Sequence, residues 1–300
     1  MSSPDPQRPL AGLAVGLSIS ESDDSAEAGF SALEVNRTVR RVAEALLGQG
    51  ARVLFGHDWR ADGVMAEVLR FALDYQPSDG GENAHPAPRL INLVAWPRRA
   101  SLSPDEARRF AGVLEVVECS LPEVLAPSFA AIEADPALSL AAQALALTHM
   151  RQGLNDLAAA RLCIGGRKSG SSGRFAGVAE EAWLAIETGK PLYLAGLFGG
   201  ATAEVIRAIT GDREIDEAAF RPTEKVAAGL ERIGELKTGD IDTLPGAEVL
   251  ERLRRPGALE RLAEANRLSV EENRALFHAG GISEVIALTL TGLGRLPGRA

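Results

Sequence analysis

Short, nearly unbroken apolar runs alternate with stretches of helical periodicity along the first two thirds of the chain. Residues 13–20 (LAVGLSIS), 52–55, 89–95, 113–119, 161–164 and 191–195 have the pattern of strands covered on both faces. Between them Val35, Val39, Val42, Ala43, Leu46 and Leu47 recur at helical spacing, and Gly48 and Gly50 end that helix. Residues 64–73, 138–159, 178–187 and 202–210 predict further helices. Ser103-Pro104-Asp105-Glu106 predicts a helix start with proline in the first turn. Residues 122–136 read as irregular or lightly helical. Loops are expected at 21–29, 77–88, 165–177 and 196–200, from their glycine, serine, proline and charged residues. From Gly211 onward the pattern is helical and charged, broken at Pro245-Gly246 and Pro256-Gly257. The alternation predicts an α/β fold: a doubly wound parallel sheet over residues 11–210, with a helical C-terminal extension over 211–300 packed on it.

Composition narrows the function. A chain of 300 residues with 46% hydrophobic and 24% charged residues can bury a sizeable core, which excludes wholesale disorder. The net charge of -9 argues against a general nucleic-acid binder, though a local basic patch can still hold a phosphate. Two cysteines, Cys119 and Cys163, cannot build a disulfide framework. The four histidines (His57, His85, His149, His278) show no H-x-x-x-H spacing, so neither a metal site nor a bound cofactor is expected. The polar N-terminus lacks a signal-peptide core, and no run of 18 uncharged apolar residues occurs. The expectation is a soluble cytoplasmic protein with no membrane or nucleic-acid partner. The Ala/Leu-rich helix over 138–159 offers a broad apolar stripe, which predicts a homo-oligomer.

In doubly wound sheets, ligands bind beyond the carboxyl ends of the strands, so the loops there are the candidates. The loop over 165–177 is rich in glycine and serine, carries Arg167, Lys168 and Arg174, and has no acid. Gly165, Gly166 and Gly177 let backbone N–H groups approach an anion at the start of the next helix, and Arg167 and Arg174 supply charge. The alternative is a solvated surface loop. Glu180 and Glu181 open that helix; either the helix dipole alone accounts for them, or one faces the ligand as a hydroxyl acceptor or general acid/base. Ser18, Ser20 and Glu21 at the first strand end fit ribose or phosphate, or a helix-capping turn. Gly56, His57, Asp58 and Arg60, with Trp59 between the last two, form a second strand-end loop; a hydrogen-bonded turn is the plain alternative. Arg151 reads as a solvated charge on its helix or as a reach into the cleft. Cys163 reads as a small core residue, and Asn273, Arg274 and Phe277 as packing of the C-terminal helices.

The segments ISES, FGHDWRADG, ARLCIGGR, SGRFAGVAEEAWLAIETGKPLYL and GLFGGAT, in this order over residues 13–210, resemble the SLOG superfamily, in particular its stand-alone cluster 2 type. These Rossmann-like domains are related to the Lonely Guy phosphoribohydrolases and to ligand-sensing domains of antiphage defence and of channels. The resemblance implies a nucleotide, nucleotide sugar or dinucleotide derivative as ligand, and a sensor in a bacterial defence or signalling context with an effector not identifiable from this chain. Lonely Guy enzymes carry P-G-G-x-G-T-x-x-E. The matching stretch Gly177-Val178-Ala179-Glu180-Glu181 puts the motif's glutamate at Glu181 and replaces its threonine with Val178. The second implied activity is therefore N-glycosidic hydrolysis of a nucleotide with Glu181 as catalytic residue.

Overall fold

The structure is a computed structural model and describes residues 8–56, 64–74, 88–99, 102–236 and 246–297. The strands β1 (Ala14–Ser20), β2 (Arg52–Gly56), β3 (Leu90–Ala95), β4 (Leu114–Cys119), β5 (Ala160–Gly165) and β6 (Leu192–Ala195) form one sheet. Its order is β4-β3-β2-β1-β5-β6, and every neighbouring pair is parallel. This is the Rossmann-like α/β arrangement the alternation predicts.

The helices that link and follow the strands are α1 (Asp23–Glu27), α2 (Ala32–Gly48), α3 (Val64–Asp74), α4 (Pro104–Phe110), α5 (Phe129–Ala134), α6 (Pro136–Leu157), α7 (Gly177–Glu187) and α8 (Gly200–Thr210). Beyond them lie α9 (Glu224–Glu235), α10 (Gly246–Leu253), α11 (Ala258–Asn266), α12 (Val270–Phe277) and α13 (Ile282–Gly294). Capping explains several starts. Ser31 with Glu34 and Ser103 with Glu106 form capping boxes, and Asp135 caps α6 ahead of Pro136. The stretch expected as irregular before α6 holds a 3-10 turn over Glu123–Ser128 and then α5.

Strand side chains alternate between the two faces. Val15, Leu17, Val53, Phe55, Leu162 and Ile164 join a core with α2, α3 and α13. On the opposite face Leu54, Ile91 and Leu93 pack with α6, and Cys163 and Leu194 with α7 and α8. Both faces being covered is why the inner strands are mostly apolar.

Helix α6 departs from expectation. Its apolar surface is covered inside the chain by α9, α5, α7 and the strands β2 and β3, and residues from all around it are buried. The stripe read as a surface for a second copy is thus used within one chain. The C-terminal helices dock on the sheet edge as well. Asn266, fully buried, donates to the Leu192 carbonyl at 2.8 Å and pairs with Asn273, while Tyr193 donates its hydroxyl to the Asn266 carbonyl. The bond to Leu192 satisfies a carbonyl of the edge strand β6 that would otherwise template pairing. No helix among the described residues is long and apolar enough to cross a membrane.

Candidate functional site

The chain leaves β1 toward β2 and leaves β5 toward β6, so the segments following these adjacent strands diverge and open a crevice. A cleft of about 550 Å³ lies there. Its lining includes Ser18, Ser20 and Glu21 from β1 and beyond, Asn36 of α2, and Gly56 at the end of β2. The other wall carries Arg167, Ser171 and Ser172 of the long loop and Gly177, Val178 and Glu181 of α7.

The loop over 165–177 is tied down rather than free in solvent. Gly166 donates to the Ser20 carbonyl at 3.0 Å, and Ala176 to the Ala219 carbonyl at 3.1 Å. Phe175 is buried, and the Ser171 hydroxyl donates to the Phe175 carbonyl at 2.6 Å. Lys168 bonds Asp24 at 2.7 Å. Burial alone would push the Asp24 carboxyl up, but Lys168 and the Gly200 N–H outweigh it, so its pKa is lowered. Gly165 has φ +69°, and a Cβ there would stand 2.3 Å from the Ser20 carbonyl oxygen, so the loop's first turn requires glycine.

The two glycine loops end differently. Helix α8 begins with its donors already used: Gly200 N–H donates to Asp24 at 2.8 Å and Ala201 N–H to the Gly166 carbonyl. Helix α7 begins at Gly177 with no side-chain cap, and its first residues face the cleft. The partial positive charge of a helix start favours a nearby anion. Arg167 is exposed on the cleft wall and has no ion-pair partner among the described residues.

Beneath the cleft lies a buried charge network. Glu180 is fully buried. It accepts from the Thr148 hydroxyl at 2.5 Å, pairs with Arg151, and has Arg174 Nη2 at 3.5 Å. Arg174, 4% exposed, also donates through Nε to Thr148 at 3.1 Å. Neither Glu180 nor Arg174, both expected against the ligand, is among the cleft lining; each serves the other's burial. Arg151 is not the solvated charge of one reading. Its guanidinium sits under the loop, where a Cβ at Gly173 or Gly177 would come within 2.8 or 2.7 Å of it. Gly177 is thus needed for close approach to Arg151 as well as for a helix start.

Glu181 does reach the cleft. Its Oε2 accepts from the Ser18 hydroxyl and from Arg161 Nη1 at 3.0 Å, and its Oε1 lies 3.7 Å from Arg151 Nε. Arg161 is 1% exposed, stacks over Gly16 of the neighbouring strand, and donates to Ser18 at 2.8 Å. Its Nε and Nη2 have no hydrogen-bond partner. Sequence reading missed Arg161; the available signal was one cation inside an otherwise apolar strand, in register with a glycine. Cys163 is a core residue: burial first pushes its thiol up to about 12, far from thiolate chemistry at neutral pH.

Of the remaining expected residues, Ser20, Glu21, Gly56, Gly165 and Gly166 come together at the carboxyl ends of β1, β2 and β5. The turn after β1 is also a capping turn, with Ser22 and Ser25 forming a capping box on α1. His57, Asp58, Trp59 and Arg60 lie outside the described residues. No group of three or more His, Cys, Asp or Glu side chains among the described residues is placed to hold a metal ion.

No curated protein matches the chain. The family described as SLOG cluster2 matches residues 9–276, which spans the sheet, the cleft and most of the C-terminal helices. The switch-point cleft, the glycine loop leading into α7 and this match together make the chain a member of the SLOG cluster2 family, with a Rossmann-like, nucleotide-related fold.

Proposed function

We propose that the chain binds a phosphate-bearing, nucleotide-derived ligand (a nucleotide, nucleotide sugar or dinucleotide derivative) in the β1/β5 cleft and acts as a sensor of it in bacterial defence or signalling. One observation carries this reading: exposed Arg167, with no ion-pair partner among the described residues, faces the same open cleft as the start of α7. A phosphate takes charge-assisted hydrogen bonds from both. Ser20, Glu21 and Asn36 supply hydroxyl, carboxylate and amide groups on the opposite wall for other polar parts of the ligand.

Sensing is favoured over hydrolysis by how Glu181 is held. One of its oxygens already accepts from Ser18 and Arg161, and two guanidinium groups flank it. With that oxygen held in place, the other is left to accept from a ligand hydroxyl. The N-glycosidic hydrolase is kept as the second reading because Glu181 lines the cleft at the position of the Lonely Guy glutamate. Chromatography of a nucleotide panel incubated with the protein separates the two. The expected result is no free base released by the wild type, and an altered affinity in Glu181→Gln. Release of base that Glu181→Gln lowers by roughly 100-fold or more, the scale of a lost general acid/base, would make the chain a hydrolase.

A further inference from the structure

A second chamber of about 270 Å³ opens beside the main cleft and shares Gly56, Ser172 and Glu181 with it. Its own lining differs in chemistry. Trp96 is half-buried and meets Phe129 edge to face, with ring centroids 6.4 Å apart. Leu147 and Met150 of α6 add apolar surface, Gln143 one turn earlier adds an amide, and Arg98 is exposed with no ion-pair partner among the described residues. An indole, two apolar side chains, an amide, the Arg98 guanidinium and the Arg151 guanidinium, which Glu180 already pairs, suit a flat ring with a hydrogen-bonding edge; they lack the convergent backbone donors that suit a phosphate. The chamber falls below the roughly 300–1,000 Å³ usual for a complete small-molecule site, as one compartment of a divided site should.

Resting on the proposed function, we infer that this chamber is a base-binding subsite: the heteroaromatic ring of the ligand enters between Trp96 and Gln143, its ribose crosses the waist at Glu181 and Ser172, and its phosphate lies in the larger chamber against Arg167 and α7. The waist then has a role that neither chamber has alone. The Glu181 carboxylate, anchored from behind by Ser18 and Arg161, accepts ribose hydroxyls.

Calorimetric titration with ribose 5-phosphate and with AMP, GMP, CMP and UMP tests this. Ribose 5-phosphate probes the larger chamber alone, and the nucleotides add the ring. At least one nucleotide is expected to bind tenfold or more tighter than ribose 5-phosphate. Trp96→Ala and, separately, Gln143→Ala are expected to remove at least fivefold of that advantage while leaving ribose 5-phosphate within twofold of wild type. Gln143→Ala, at a half-buried polar position of α6, keeps the test decisive should Trp96→Ala disturb folding. Nucleotides no tighter than ribose 5-phosphate, or an advantage intact in either folded variant, would overturn the subsite and leave the phosphate cleft standing. No binding by any probe would remove both. Ribose 5-phosphate binding indifferent to Arg167→Ala would remove the phosphate site, and the subsite argued from it.

Discussion

Glu180→Ala is expected to lower the free energy of unfolding by about 3–5 kcal/mol, the cost of leaving buried charge without its partner. Glu180 is fully buried and is the shared acceptor of Thr148, Arg151 and Arg174. Arg151 retains only Glu181 at 3.7 Å, a carboxylate already bonded to Arg161. Removing Glu180 therefore takes the buried carboxylate from both Arg151 and Arg174, directly under the glycine loop. Glu180→Gln keeps the shape and one acceptor oxygen, and is expected to lose less. Urea unfolding followed by circular dichroism measures the difference, and a loss under about 1 kcal/mol for the alanine variant would contradict the buried network.

Arg167→Ala gives the second large effect, on binding and not on folding. Its guanidinium is exposed and makes no ion pair among the described residues, so its removal strands nothing. Surface changes of this kind move stability by about 0.5 kcal/mol or less. A charge-assisted hydrogen bond to phosphate is worth about 1.5–3 kcal/mol, which corresponds to roughly 10- to 150-fold in Kd. Arg174→Ala is expected to behave the opposite way, with a clear loss of stability and a secondary effect on affinity, because Arg174 is buried against Glu180 and Thr148. Thermal unfolding and ribose 5-phosphate titration of the two variants side by side check the contrast. Equal effects on affinity, with neither variant destabilised, would mean that both arginines face the ligand.

That contrast shows where the sequence stops being legible. The sheet was legible because parallel strands covered on both faces need nearly continuous apolar residues, as β1, β3 and β6 have. The loop over 165–177 was legible as a candidate site because glycine, serine and cations gather there ahead of a helix. Which of its cations faces the ligand was not. Arg167 and Arg174 look alike in one dimension; only the packing of α6 beneath α7, which brings Thr148 and Arg151 to Glu180, turns Arg174 inward. Glu180 and Glu181 are likewise adjacent letters, yet the 100° step between neighbours on a helix sends one into the core and the other to the cleft. The chamber at Trp96 was invisible for the same reason, since it joins the end of β3 to the middle of α6, about fifty residues apart in sequence. The apolar surface of α6 did not show its partner, because the pattern says that a helix surface is covered and not by what; here α9 covers part of it.

The most direct test of the account is the crystal structure of the protein with the tightest-binding nucleotide of the panel. The phosphate is expected within hydrogen-bond distance of the Gly177 and Val178 N–H groups and of Arg167, with a ribose hydroxyl on Glu181. A nucleotide bound elsewhere, for instance in the small apolar pocket between Ile209 and Leu262, with the β1/β5 cleft unoccupied, would contradict it.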